Sequence, residues 1–107
     1  MEIVGKTLEY DYENGERYRL LFGIKTVTWE CLAGSAAGSS GTDSYGAIEI
    51  TPNILFISWS KDDGEVVSIV ANFQNDILHC CNTHEGTIHF RTGNIKRLTK
   101  AFLIDHA

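Results

Sequence analysis

Leu8-Glu9-Tyr10-Asp11-Tyr12-Glu13-Asn14-Gly15-Glu16-Arg17-Tyr18-Arg19-Leu20-Leu21-Phe22 is a β-hairpin written in sequence. Strand-favouring runs flank Asn14-Gly15, a pair that tolerates the positive φ a type I′ turn needs at both central positions. Side chains alternate along a strand, so Leu8, Tyr10 and Tyr12 share one face of the first run, and Tyr18, Leu20 and Phe22 share one face of the second. Both faces are apolar enough to turn inward. Leu or Phe would supply bulk without a hydroxyl, so two tyrosines side by side on an inward face imply satisfied hydrogen bonds or a ligand.

Outward from this hairpin the same pattern repeats. Strands are expected at 8–12, 16–22, 26–32, 45–51, 53–60, 65–73, 77–83, 87–91 and 95–98, each bounded by Gly, Asn, Asp or Pro. The only proline, Pro52, would break a sheet interior and marks a turn. Residues 33–44 are small, with three glycines and no large side chain, and read as a flexible loop: a flap over a barrel mouth or a plain connector. No Lys follows the last glycine and no helical period begins, which sets aside a phosphate-binding loop. Residues 99–107 could add a helical turn or fray. About nine short strands spaced about ten residues apart, with consecutive hairpin signals and no amphipathic helix, predict an all-β, up-and-down antiparallel barrel of eight to nine strands. A closed sheet of about eight strands leaves room for side chains and one small ligand.

Length and charge bound the rest. The 107 residues form a single domain over 1–107, and 43% hydrophobic content suffices for one core. A net charge of -5 with scattered Lys and Arg points to no nucleic acid and no membrane as partners, since both reward a clustered basic patch. No apolar run reaches signal-peptide or membrane-spanning length, which makes a cytoplasmic protein the expectation. Three cysteines, Cys31, Cys80 and Cys81, are an odd set whose adjacent pair points to opposite faces, so reduced thiols are expected. His79, Cys80, Cys81 and His84 fall at offsets that do not converge, so neither a metal nor any cofactor is expected.

The residues resemble a known family at three points: Tyr10-Asp11-Tyr12-Glu13-Asn14-Gly15; the Gly-rich stretch after the third strand; and Ile57-Ser58-Trp59 followed by an acidic-Gly turn and Val66-Val67-Ser68. Together, over residues 4–90, they resemble the lipocalin-like barrels of phenolic acid decarboxylases and, equally, the related MoaF-like family, named for a protein linked to molybdenum-cofactor biosynthesis. The resemblance implies that Tyr10 and Tyr12 hold a substrate carboxylate. It also implies an arginine and a glutamate at positions where this chain has Ser39 and Lys61. Decarboxylation needs acid–base capacity and a partner for developing charge, which those two residues do not reproduce. The expectation is therefore a barrel that binds a small aromatic or carboxylate-bearing ligand, with no catalytic residue assigned. The alternative is a lyase in which Glu30, Glu49 or His89 replaces the missing pair. The expected ligand-binding residues are Tyr10, Tyr12, Tyr18, Trp29, Tyr45, Trp59 and His79. A homodimer through a barrel wall is compatible with the architecture, although no interface is legible.

Overall fold

A computed structural model describes residues 1–100. Eight strands close into one antiparallel barrel in chain order: β1 (Lys6–Tyr12), β2 (Arg17–Phe22), β3 (Thr26–Ala33), β4 (Ser40–Thr51), β5 (Ile54–Ser60), β6 (Val66–Asn72), β7 (Ile77–His84) and β8 (Thr87–Lys100). β8 pairs with β7 through its first half and with β1 through its second, so no sheet edge is left open.

The opening hairpin has the expected strands and faces, with Leu8↔Leu20 and Tyr10↔Tyr18 opposite each other and Leu8, Tyr10, Tyr12, Leu20 and Phe22 all buried. Its turn differs from the expected type I′. Only Gly15 has positive φ (92°), and the Gly15 N–H donates to the Tyr12 carbonyl while the Tyr12 N–H donates to Glu16. That is a type I turn closed by a left-handed glycine, in which Asn14 accepts from the Glu16 N–H through its side chain rather than adopting positive φ itself. The true double-positive turn lies between β7 and β8, at Glu85 (52°) and Gly86 (78°).

Two boundaries also differ. The small residues from Ser40 to Ser44 are strand, paired with β3 from Glu30↔Ser40 to Thr26↔Ser44, so only residues 34–39 form the loop. That loop is tied down: Gly38 N–H donates to Cys31 O, Cys31 N–H to Ser39 O, and Ser39 N–H to Ala36 O. Glycine at 41 is demanded by its neighbour, since a Cβ there would sit 2.7 Å from the Trp29 ring. The segment Thr92-Gly93-Asn94, expected as a turn, is the middle of β8. A Cβ on Gly93 would lie 2.4 Å from the Asp11 carbonyl oxygen, so glycine here permits the β1–β8 seam rather than a reversal. The two last expected strands are thus one. Thr99 and Lys100 belong to β8, and the remainder of the expected C-terminal turn lies outside the described residues.

The barrel has unlike ends. Leu8, Leu20, Phe22, Val27, Leu55, Ile57, Ile69, Ala71 and Leu78 fill one half. Ile3, 5% exposed, caps it, anchored by Gly5 N–H to Phe22 O and Lys6 N–H to Ile3 O. The other half, where the β1–β2, β3–β4, β5–β6 and β7–β8 connections gather, is hollow.

Candidate functional site

The hollow half encloses a cavity of about 380 Å³. Its wall follows from strand parity. β1 and β2 contribute Tyr10, Tyr12 and Tyr18; β3 contributes Trp29, β5 Trp59, β6 Val67, and β7 Cys80 and Asn82. The three tyrosines pack on one another with ring centroids 5.3 Å (Tyr10–Tyr12), 5.9 Å (Tyr10–Tyr18) and 5.8 Å (Tyr12–Tyr18) apart, Tyr10 and Tyr18 nearly parallel and the others edge-on. Trp29 is fixed by its indole N–H donating to Asp43 at 2.8 Å. The Trp59 indole N–H and the Asn82 side-chain carbonyl are buried with no hydrogen-bond partner. A buried orphan donor on a cavity wall is an unmet demand that a ligand acceptor would satisfy.

Charge is confined to the mouth. Arg91 reaches Glu16 at 2.8 Å, and Lys61 reaches Glu65 at 2.9 Å while standing 4.3 Å over the Trp29 ring. Asn82 also donates to Glu65 at 2.8 Å. The two glutamates occupy matching places: Asn14-Gly15-Glu16 and Asp63-Gly64-Glu65 form the same turn, in which Asn14 or Asp63 accepts from the glutamate's own N–H and the left-handed glycine precedes it. Each turn thereby presents a carboxylate to a cation at the mouth, Glu16 to Arg91 of β8 and Glu65 to Lys61 of its own hairpin. His84 and His89 complete the rim.

Among the described residues no charged side chain is buried in the interior. Burial pushes the Tyr10, Tyr12 and Tyr18 hydroxyls well above the ordinary tyrosine range, so all three are neutral donors. Burial likewise raises Cys80, which leaves it a thiol and not a thiolate nucleophile. No group of three or more His, Cys, Asp or Glu side chains among the described residues is placed to hold a metal ion.

Of the residues expected from sequence, the structure brings Tyr10, Tyr12, Tyr18, Trp29 and Trp59 to one cavity. Tyr45 and His79 are not in it. Tyr45 points inward at the filled end, where its hydroxyl donates to Gly23 O at 2.7 Å and its ring meets Phe22. His79 is exposed on the outer face of β7 beside Thr92, because Leu78 and Cys80 take the inward positions. Ser39 is bound up in its own loop, donating to Ala36 O. Glu30 and Glu49 lie on the exterior with Arg19 and the N-terminus, whereas His89 does line the cavity. Sequence reasoning missed Glu16, Glu65 and Arg91. The repeated Asn/Asp-Gly-Glu turn was the available signal for the glutamates; Arg91 becomes visible only through the β7–β8 register, which sets it opposite inward Cys80.

A closed eight-stranded meander, filled at one end and hollow and aromatic-lined at the other, defines a lipocalin-like barrel. The chain belongs to the MoaF-like family, which it matches over residues 4–96. A crystal structure of a candidate beta-lactamase from Burkholderia vietnamiensis is similar in fold, with a TM-score of 0.84 and 19% identity over 90% of this chain and 95% of that one. At that identity the likeness shows the fold alone. Comparison with curated proteins found no match. No helix among the described residues is long and apolar enough to cross a membrane.

Proposed function

We propose that this protein binds a small aromatic or carboxylate-bearing molecule in the hollow half of the barrel. The observation that supports this reading best is the contrast between a filled half and a cavity of about 380 Å³ whose wall combines three packed tyrosines with an unpartnered buried indole N–H. That volume lies within the ordinary range for small-molecule sites, and concave apolar walls with a few convergent polar groups are what such sites require. Trp29, Trp59 and Tyr18 serve as walls for a flat ring, and Tyr10 and Tyr12 as hydrogen-bond donors. The three free cysteines fit a reducing, cytoplasmic setting. A thermal-shift screen with hydroxycinnamates and pterin-like compounds tests the reading. A hit should raise Tm and quench tryptophan fluorescence, and a flat response across the screen overturns it.

A second reading, a lyase with rearranged acid–base groups, draws support from Glu16, Glu65, His89 and Arg91 all reaching the same cavity. Incubation with a hydroxycinnamic acid decides it: carbon dioxide release abolished by Tyr12→Phe supports a lyase, and no release removes it.

A further inference from the structure

The cavity is polarised along the barrel axis. Its inner end presents only neutral groups, with Tyr10 2% and Tyr12 7% exposed. Its cations stand at the rim, where Lys61 is already engaged twice, by Glu65 and by the Trp29 ring. Arg91 is engaged in the same way, by Glu16 through Nη1 and by the Tyr12 ring, but Glu16 is its one side-chain hydrogen-bond partner among the described residues, and a guanidinium carries five donors to an ammonium's three, so it keeps donors to spare. Its guanidinium lies 5.8 Å from the Tyr12 ring centroid, at the boundary between the rim and the aromatic interior. Driving a carboxylate to the bottom of this cavity would strip its water where no cation compensates it. Leaving it at Arg91 keeps it partly hydrated and offers a charge-assisted, bidentate partner. A flat ring, by contrast, gains most from the interior, where the tyrosine rings and the orphan Trp59 N–H lie.

Resting on the reading of the cavity as a small-ligand site, we propose that its ligand is an aromatic acid bound ring first, the ring and its neutral substituents against Tyr10, Tyr12 and Trp59 and the carboxylate outward on Arg91. This reverses the orientation that the sequence resemblance implies, in which Tyr10 and Tyr12 hold the carboxylate. Glu16 is then a stand-in anion, competing with the ligand for Arg91.

Isothermal titration calorimetry with 4-hydroxycinnamate and 4-hydroxycinnamyl alcohol, which share a ring and differ in the carboxylate, separates the cases. The wild type should prefer the acid. Arg91→Gln should weaken the acid roughly tenfold or more and the alcohol little, because only the acid loses a charge-assisted bond. Glu16→Gln should tighten the acid by freeing Arg91, which keeps the test decisive if Arg91→Gln does not fold. Tyr10→Phe should affect both ligands alike. The proposal is overturned if Arg91→Gln weakens acid and alcohol equally, if Glu16→Gln leaves the acid unchanged, or if Tyr10→Phe selectively weakens the acid. Wild-type protein that binds neither compound nor any screened relative overturns the small-ligand reading itself, whereas binding without these selectivities overturns only the orientation.

Discussion

The two halves of the barrel are built from the same eight strands and the same inward parity, yet one is solid and the other hollow. In the filled half, successive inward positions carry branched aliphatic residues that interdigitate: Leu8 and Leu20 face each other across β1 and β2, and Ile57 and Ile69 across β5 and β6. In the hollow half the same strands carry rings and polar groups, Tyr10 and Tyr12 on β1, Trp59 on β5, Asn82 on β7. Rigid planar side chains cannot collapse on one another as aliphatic ones do, and the charged rim gains nothing by moving inward. The lesson is that fold stability and ligand space are separated along the axis of each strand, so a change of two residues along a strand moves a substitution from one role to the other.

The largest effect is expected at the seam where β1 and β8 close the barrel around both halves. Gly93 faces the Asp11 carbonyl so closely that Gly93→Ala would force β1 and β8 apart. Backbone cannot yield as a flexible side chain can, and loss of several kcal/mol is expected, on the order of the worst overpacking substitutions. Urea denaturation measures it. A cost under about 1 kcal/mol would show that the closure is softer than its geometry implies.

Next in size is a direct comparison of the halves. Leu78 is fully buried in the filled end, and Leu78→Ala should cost about 3 kcal/mol through lost burial and a residual void. Tyr10 is almost as buried, but Tyr10→Phe keeps the ring packing and removes only a hydroxyl, for a cost of about 1 kcal/mol or less. Equal costs in paired denaturation curves would erase the division of roles, because they would mean that Tyr10 is there for stability.

Most of the architecture is legible in the sequence, since period-two alternation and turn residues are local signals. The inward set Leu8-Tyr10-Tyr12 follows from them alone, whereas on β5 alternation separates Leu55-Ile57-Trp59 from Ile54-Phe56-Ser58 and only the folded barrel shows that the first set faces inward. What was not legible depends on neighbours remote in sequence. Gly41 and Gly93 look like loop and turn residues, and they are glycine because Trp29 and Asp11 approach them from other strands. His79 sits on a strand with mixed polarity on both faces, so its outward direction is fixed only by the β6–β7 and β7–β8 registers. The Arg91–Glu16 pair at the rim was invisible for a related reason: each looks like a solvated residue until closure brings β8 beside β1.

The last and most graded difference between the halves is their response to base. Tyr10 and Tyr12 are pushed far above the ordinary tyrosine range first by burial, so folded protein holds them neutral at pH values where an unfolded chain ionises them near 10. The sign follows directly: above about pH 10 the native state binds more protons than the unfolded state, so stability is intact below that point and falls as pH rises beyond it. Each of the two contributes a loss of about 1.4 kcal/mol per pH unit. Tyr18 and Tyr45 shift in the same direction but are more exposed, and should add less. Absorbance at the tyrosinate band should therefore stay low through the range where free tyrosine titrates, then rise together with loss of native structure by circular dichroism. Tyr10→Phe should move that alkaline transition upward while lowering stability to urea at neutral pH by no more than the hydroxyl's about 1 kcal/mol. A smooth tyrosinate titration near pH 10 with the barrel still folded would mean that solvent reaches the inner end freely, and that the cavity floor is open where the packing shows it closed.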